Sequence, residues 1–145
     1  MTALTTTMSE ARTTTAPASA ATSASTWIKP WLRAEGVATF AAGLAGFLWL
    51  GLPWYAFALL LLAPDISAVG YLRGPRVGAV VYNLVHDLAT GAALAGIGLA
   101  LGSVPIAAAG AILVAHSGMD RMAGYGLKLP TSFQDTHLGR IGRDH

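Results

Sequence analysis

Apolar residues fill the chain from Leu32 to about Ala123 in four blocks, Leu32–Leu50, Trp54–Tyr71, Val77–Leu101 and Val104–Ala123. Each block is close to the roughly 20 residues with which a helix, rising about 1.5 Å per residue, crosses about 30 Å of hydrocarbon. Backbone amides in lipid must pair within their own segment, so each block is predicted to be a membrane-spanning helix. Gly51-Leu52-Pro53 and Gly102-Ser103 are short links that force antiparallel neighbours, and Gly74-Pro75 punctuates the turn between the second and third blocks. Pro64-Asp65 interrupts the second block; the proline removes a backbone hydrogen bond, and a carbonyl freed at that depth needs a partner or a polar cavity. The expected fold is all-α, an antiparallel bundle of four transmembrane helices over 27–123. A disordered Thr/Ala/Ser-rich tail over 1–26 precedes it, and a polar, glycine-rich segment over 124–145 follows.

Composition agrees with the pattern. The 145-residue chain is 54% hydrophobic and only 11% charged, against about 25% charged in ordinary soluble domains. It has no cysteine, which excludes disulfides, thiolate metal sites and thiol nucleophiles. A net charge of +2 with unclustered Lys and Arg does not form a nucleic-acid groove. All nine basic residues lie before the first block or at its start (Arg12, Lys29, Arg33), in the second link (Arg73, Arg76), or at the end of the last block and beyond (Arg121, Lys128, Arg140, Arg143). Four antiparallel crossings place these regions on one side, which the positive-inside rule makes cytoplasmic. The expectation is a multi-pass inner-membrane protein with both termini inside and the lipid bilayer as its partner.

Ala92, Gly96 and Ala100, the pair Gly98 and Gly102, and Ala107 and Ala111 recur at four-residue spacing. Small residues so placed let membrane helices approach closely, within one bundle or across a homo-oligomer.

Against this apolar background stand Glu35, Asp65, Asn83, His86, Asp87, His116, Asp120 and Arg121. Counting about 1.5 Å per residue from the cytoplasmic boundary puts Glu35 and Asp120 within about 5 Å of it, and Asp65, His116 and His86 at about 10–13 Å. Residues from four helices thus share one half of the bundle, and the outer half holds no ionisable group. Tyr82, Asn83 and His86 share one face of the third helix, and His116 and Asp120 share one face of the fourth. Glu35, Asp65, Asn83, His86, His116 and Asp120 form the candidate polar pocket.

Three uses of such a pocket stay open. Buried charges are usually paired, so the cluster can be a plug that sets helix register. Inward-facing His86, His116, Asp65 and Asp120 are also the ingredients of a divalent metal site, and thereby of a hydrolase-like enzyme. Ion or proton transport uses the same residue types, but the dry outer half argues against a continuous path. In the segment after the bundle, Asp135 and His137 are candidates for a cover over the pocket.

The ordered motifs L-R-x-E-G (32–36), A-P-D-I-S-x-x-G-Y (63–71), G-P-R-x-G (74–78), Y-N-L-x-H (82–86), H-x-G-M-D-R-x-x-G-Y-G-L-K (116–128) and F-x-D-T-H-L-G (133–139) resemble a family of small bacterial four-helix membrane proteins of unknown function. The resemblance covers about residues 31–142. It implies the fold and the importance of the pocket residues that stand in these motifs, but no substrate; Asp87 lies outside them.

Overall fold

A computed structural model describes residues 18–142, with side chains from Trp27 onward. The elements in order are α1 (Ala18–Trp49), α2 (Trp54–Leu60), a 3-10 helix (Ala63–Arg73), α3 (Pro75–His86), α4 (Leu88–Ala100), α5 (Val104–Ala123), β1 (Asp135–Thr136) and β2 (Gly139–Arg140). Helix α1 already begins at Ala18, within the stretch expected as a tail; the expectation for residues 1–17 falls outside the described residues. The turns at Gly51, Gly74 and Gly102 fall where the links were expected.

Two of the four blocks are broken helices. In the second, α2 stops at Leu60, and Pro64 opens a tighter helix that continues to Arg73. Pro64 has no N–H to offer the Leu61 carbonyl, and the Asp65 N–H turns to Leu62 O at 3.2 Å. The Leu61 carbonyl is therefore released from the helical ladder.

The third block departs further from the expected single helix. Asp87 is extended (φ −82°, ψ 130°) between α3 and α4, which bend by 48° at that point. Its carboxylate accepts the Thr90 N–H at 3.3 Å. Asp87 is thus the N-cap of α4, a role for which a short acidic side chain suits one of the unpaired N–H groups of a new helix.

Helix α5 is the centre of the assembly. Helix α1 packs along it on one side and α4 on another, while the 3-10 helix packs on α3. Small residues carry both contacts. A Cβ placed on Gly43 would meet the Ala115 nitrogen at 2.5 Å, and one on Gly36 would meet Gly118 O at 2.8 Å. On the α4 side, Gly98 abuts the Ala107 backbone and Gly110 abuts Ala95. Gly96, expected in the same contact, faces open space, and Gly102 is a turn residue at φ 63°. The apolar core sits where α1, α2 and α5 meet, with Phe47, Phe57, Ala108, Ala111, Ile112 and Ala115 buried. Phe57 meets Phe47 and Phe40 edge to face at 5.5 and 6.0 Å.

Among the described residues, Trp54–Arg73 is long and apolar enough to cross a membrane, and α3 with α4 qualifies as a second such stretch if the bent pair is one span. Beyond α5, Gly124 is left-handed and ends the helix, with Tyr125 N–H on Asp120 O at 2.7 Å. The polar, glycine-rich segment beyond it contains a small antiparallel hairpin, Asp135 opposite Arg140 and Thr136 opposite Gly139.

Overfilling the α1–α5 contact tests this packing. Gly43→Val should lower the thermal unfolding midpoint of purified protein, with a cost of about 1–3 kcal/mol, and Gly96→Ala should leave it within error. Equal midpoints for both variants would show that the two helices do not approach as described.

Candidate functional site

The polar residues converge because the two helix breaks present them. His86 is the last residue of α3, and its carbonyl, turned out of the ladder by the bend, accepts the Ser117 hydroxyl at 2.8 Å. Asp65 stands in the first turn of the 3-10 helix created by Pro64. His116 and Asp120 lie one turn apart on α5. The two histidines are buried, 3% and 0% exposed, and the Asp65 side chain is 51% exposed, so the cluster is open on the Asp65 side.

Hydrogen bonding settles how the two imidazoles present themselves. His86 Nδ1 lies 2.9 Å from Tyr82 O, and His116 Nδ1 lies 2.7 Å from Leu61 O, the carbonyl released at Pro64. A carbonyl oxygen can only accept, so each Nδ1 carries a hydrogen. Each neutral ring then offers a lone pair at Nε2. These two Nε2 atoms are 3.0 Å apart, and Asp65 Oδ1 is 3.4 Å from one and 3.5 Å from the other.

Two lone pairs and a carboxylate oxygen at such distances repel unless something positive lies between them. A point equidistant from the three atoms, whose mutual separations are 3.0, 3.4 and 3.5 Å, lies about 1.9 Å from each, close to zinc–nitrogen and zinc–oxygen bonds of about 2.0–2.2 Å. Asp65, His86 and His116 therefore form a group that could hold a metal ion. The carbonyls on both Nδ1 atoms are the outer partners that metal-ligating histidines normally have.

Around this triad, Tyr82 stacks on His86 with ring centroids 3.5 Å apart and 12° between planes. Its hydroxyl donates to Asp120 Oδ2 at 3.3 Å, and Asp120 Oδ1 lies 3.9 Å from His116 Nε2. Asp120 is thus beside the triad rather than within it.

Of the six pocket candidates, Asp65, His86, His116 and Asp120 come together. Asn83 does not join them. Its side chain clamps the backbone of Lys128, accepting the Lys128 N–H at 2.7 Å and donating to its carbonyl at 2.9 Å. Glu35 is exposed on α1. His137 is no ligand either: its Nδ1 accepts the Leu127 N–H at 2.9 Å, and Asp135 accepts the Thr131 hydroxyl at 2.7 Å. The C-terminal hairpin is held by its own polar side chains and does not lend them to the cluster.

Lys128 and Ser117 are participants that the residue pattern did not single out. Lys128 is buried, with its Nζ 3.9 Å from the Phe133 ring centroid and 5.0 Å from that of Tyr82. Burial pushes its ammonium below the ordinary lysine value, against the pull of Asp120 and Asp65. A lysine in a polar, glycine-rich segment carries no local sign of burial; only its fixed place between two aromatics creates it. Ser117 had a weak signal in its position next to His116.

A family model described as a domain of unknown function, DUF4260, matches residues 29–141, and the chain belongs to that family. No curated protein and no solved structure matches the chain.

The state of Lys128 has a consequence in alkaline solution. Its folded-state pKa lies below the ordinary 10.5, so between those two values the unfolded chain binds more protons than the folded one. Stability contributed at this site therefore rises with pH through that window. Lys128→Met should lack the rise. Unfolding midpoints of the two proteins, taken from neutral pH to pH about 10.5, should shift relative to each other in favour of wild type; a constant difference would contradict a desolvated amine.

Proposed function

We propose that this chain is a multi-pass membrane protein that binds one divalent ion of the zinc type through His86, His116 and Asp65. The observation that carries the metal reading is the meeting of two Nε2 lone pairs at 3.0 Å, with both Nδ1 hydrogens committed to backbone carbonyls. Nitrogen and carboxylate ligands at these separations match one face of a tetrahedral site.

Several features support the membrane reading. Only 11% of the most apolar window in Trp54–Arg73 is buried, unlike the core helix of a soluble protein. Leu59, Ile66 and Leu72 are 81%, 72% and 85% exposed, and many large apolar side chains exposed along one segment call for lipid or a partner to cover them. Trp31 and Trp49 on α1 are both exposed and lie about 27 Å apart along the axis, the spacing of two interfacial aromatic belts. Four crossings with both termini in the cytoplasm agree with the distribution of Lys and Arg. The ligand group then lies in the cytoplasmic half of the bundle.

Three protein ligands leave a fourth position, the arrangement of catalytic rather than closed structural zinc sites. When bound, the ion supplies Lewis-acid chemistry to a hydrolytic reaction, with water as co-substrate. Asp120, oriented by the Tyr82 hydroxyl, is the carboxylate placed to accept a proton beside that position. Asp65 leaves the site accessible on one side.

Elemental analysis of the full-length protein, purified after metal-replete growth, tests the reading. Wild type and Glu35→Ala should carry close to one divalent ion per chain, and His86→Ala and His116→Ala should carry almost none while still eluting as folded protein. Metal-free wild type would overturn the proposal and leave a proton shared by the two imidazoles as the positive charge between them.

A further inference from the structure

A cavity of about 570 Å³ lies among α1, α2, the 3-10 helix, α3 and α5, within the range of about 300–1,000 Å³ typical of small-molecule sites. Every side chain that lines it is apolar. Three of the lining residues sit directly beside the ligand group in the chain. Pro64 precedes Asp65, Val85 precedes His86, and Ile112 lies one turn before His116 on the same face of α5. The opposite end is formed by Leu52 and Val104, next to the two short links. Between Val104 and Ile112 the cavity follows α5 for about 12 Å.

One end is therefore entirely hydrocarbon, and the other is walled by chain neighbours of two histidines and a carboxylate. Ala63 and Ala109 in its wall are exposed, so the cavity communicates with the surface of the molecule. An apolar lining offers no partner to the hydroxyls of a sugar or the phosphates of a nucleotide, and burying such groups unpaired costs about 1–3 kcal/mol each on protein scales. A hydrocarbon tail incurs no such penalty. The ligand that fits both ends is an amphiphile with an oxygen-bearing head.

We propose that the cavity takes the single hydrocarbon chain of a membrane amphiphile and brings its ester or carboxylate head to the ion held by His86, His116 and Asp65. This inference rests on the metal-centre reading and adds the ligand class. Access is lateral, from the bilayer: Leu62, Ile66 and Val69 surround Asp65 in the chain and are exposed, giving the open side of the cluster an apolar setting.

Alkyl hydroxamates, which bind metal ions through their oxygen atoms, test it. The full-length protein is loaded with cobalt(II) in lipid nanodiscs and titrated with acetohydroxamate and dodecanohydroxamate, with the visible absorption of cobalt as the readout. Wild type should bind the long-chain probe at least tenfold more tightly. Ala56→Trp and Ala109→Trp, which fill the cavity from α2 and from α5, should keep cobalt and acetohydroxamate affinity but lose that preference. Because all proteins share the same nanodiscs, partitioning of the long chain into lipid cancels between them. A flat chain-length series on cobalt-loaded wild type, or an unchanged preference in both variants, would overturn the cavity assignment and leave the metal centre standing. Failure of wild type to take up cobalt or zinc would instead remove the metal centre, and this inference with it.

Discussion

The site depends on the fixing of two imidazole tautomers by backbone carbonyls. Tyr82 O and Leu61 O each accept from a histidine Nδ1, so the remaining nitrogens converge as lone pairs beside Asp65. An accepting partner on Nδ1 also raises the basicity of the other nitrogen, as outer-shell partners do in metal sites. The Leu61 carbonyl is free for this role because Pro64 cannot bond to it. The helix break and the ligand geometry are thus one event: a proline placed three residues after Leu61 releases the acceptor that orients His116 on a different helix.

The second break works in the same way. Asp87 caps α4, freeing the His86 carbonyl for Ser117 and turning the chain by 48°. Irregular backbone away from water is tolerated where protein groups take over its hydrogen bonds, and here Ser117 and His116 do so from α5. Helix α5 in turn can reach both breaks because its glycines and alanines admit α1 and α4 almost to backbone contact.

The C-terminal hairpin closes one flank of the cluster without supplying ligands. Asn83 clamps the Lys128 backbone, and the lysine ammonium is placed over Phe133 and Tyr82. Tyr82 joins the two parts, since it also stacks on His86 and donates to Asp120. A buried cation near two carboxylates offsets part of their charge.

Much of the helical layout could be read from the residues. The apolar blocks, their glycine links and Pro64 marked the segments and the released carbonyl, because hydropathy and proline chemistry are local properties. Helical counting put Asp65, His86 and His116 at similar depth, and they do meet. Other features had no local signature. Asp87 could be read as one more charge within an apolar helix, since a cap is recognised only once the helix is seen to restart after it. Glu35 shared the composition of the pocket but not its direction, because small shifts in helix rotation decide whether a side chain points inward. Lys128 entered the reading only as one of the basic residues beyond the last block, and it is buried by contacts made with Tyr82 and Phe133. The sequence alone therefore determined the segments, their polarity and the chemical types available near one end of the bundle. The tertiary structure decided which nitrogen of each histidine is free, which carboxylate faces them and where the cavity ends, because those properties depend on distances between atoms of different helices.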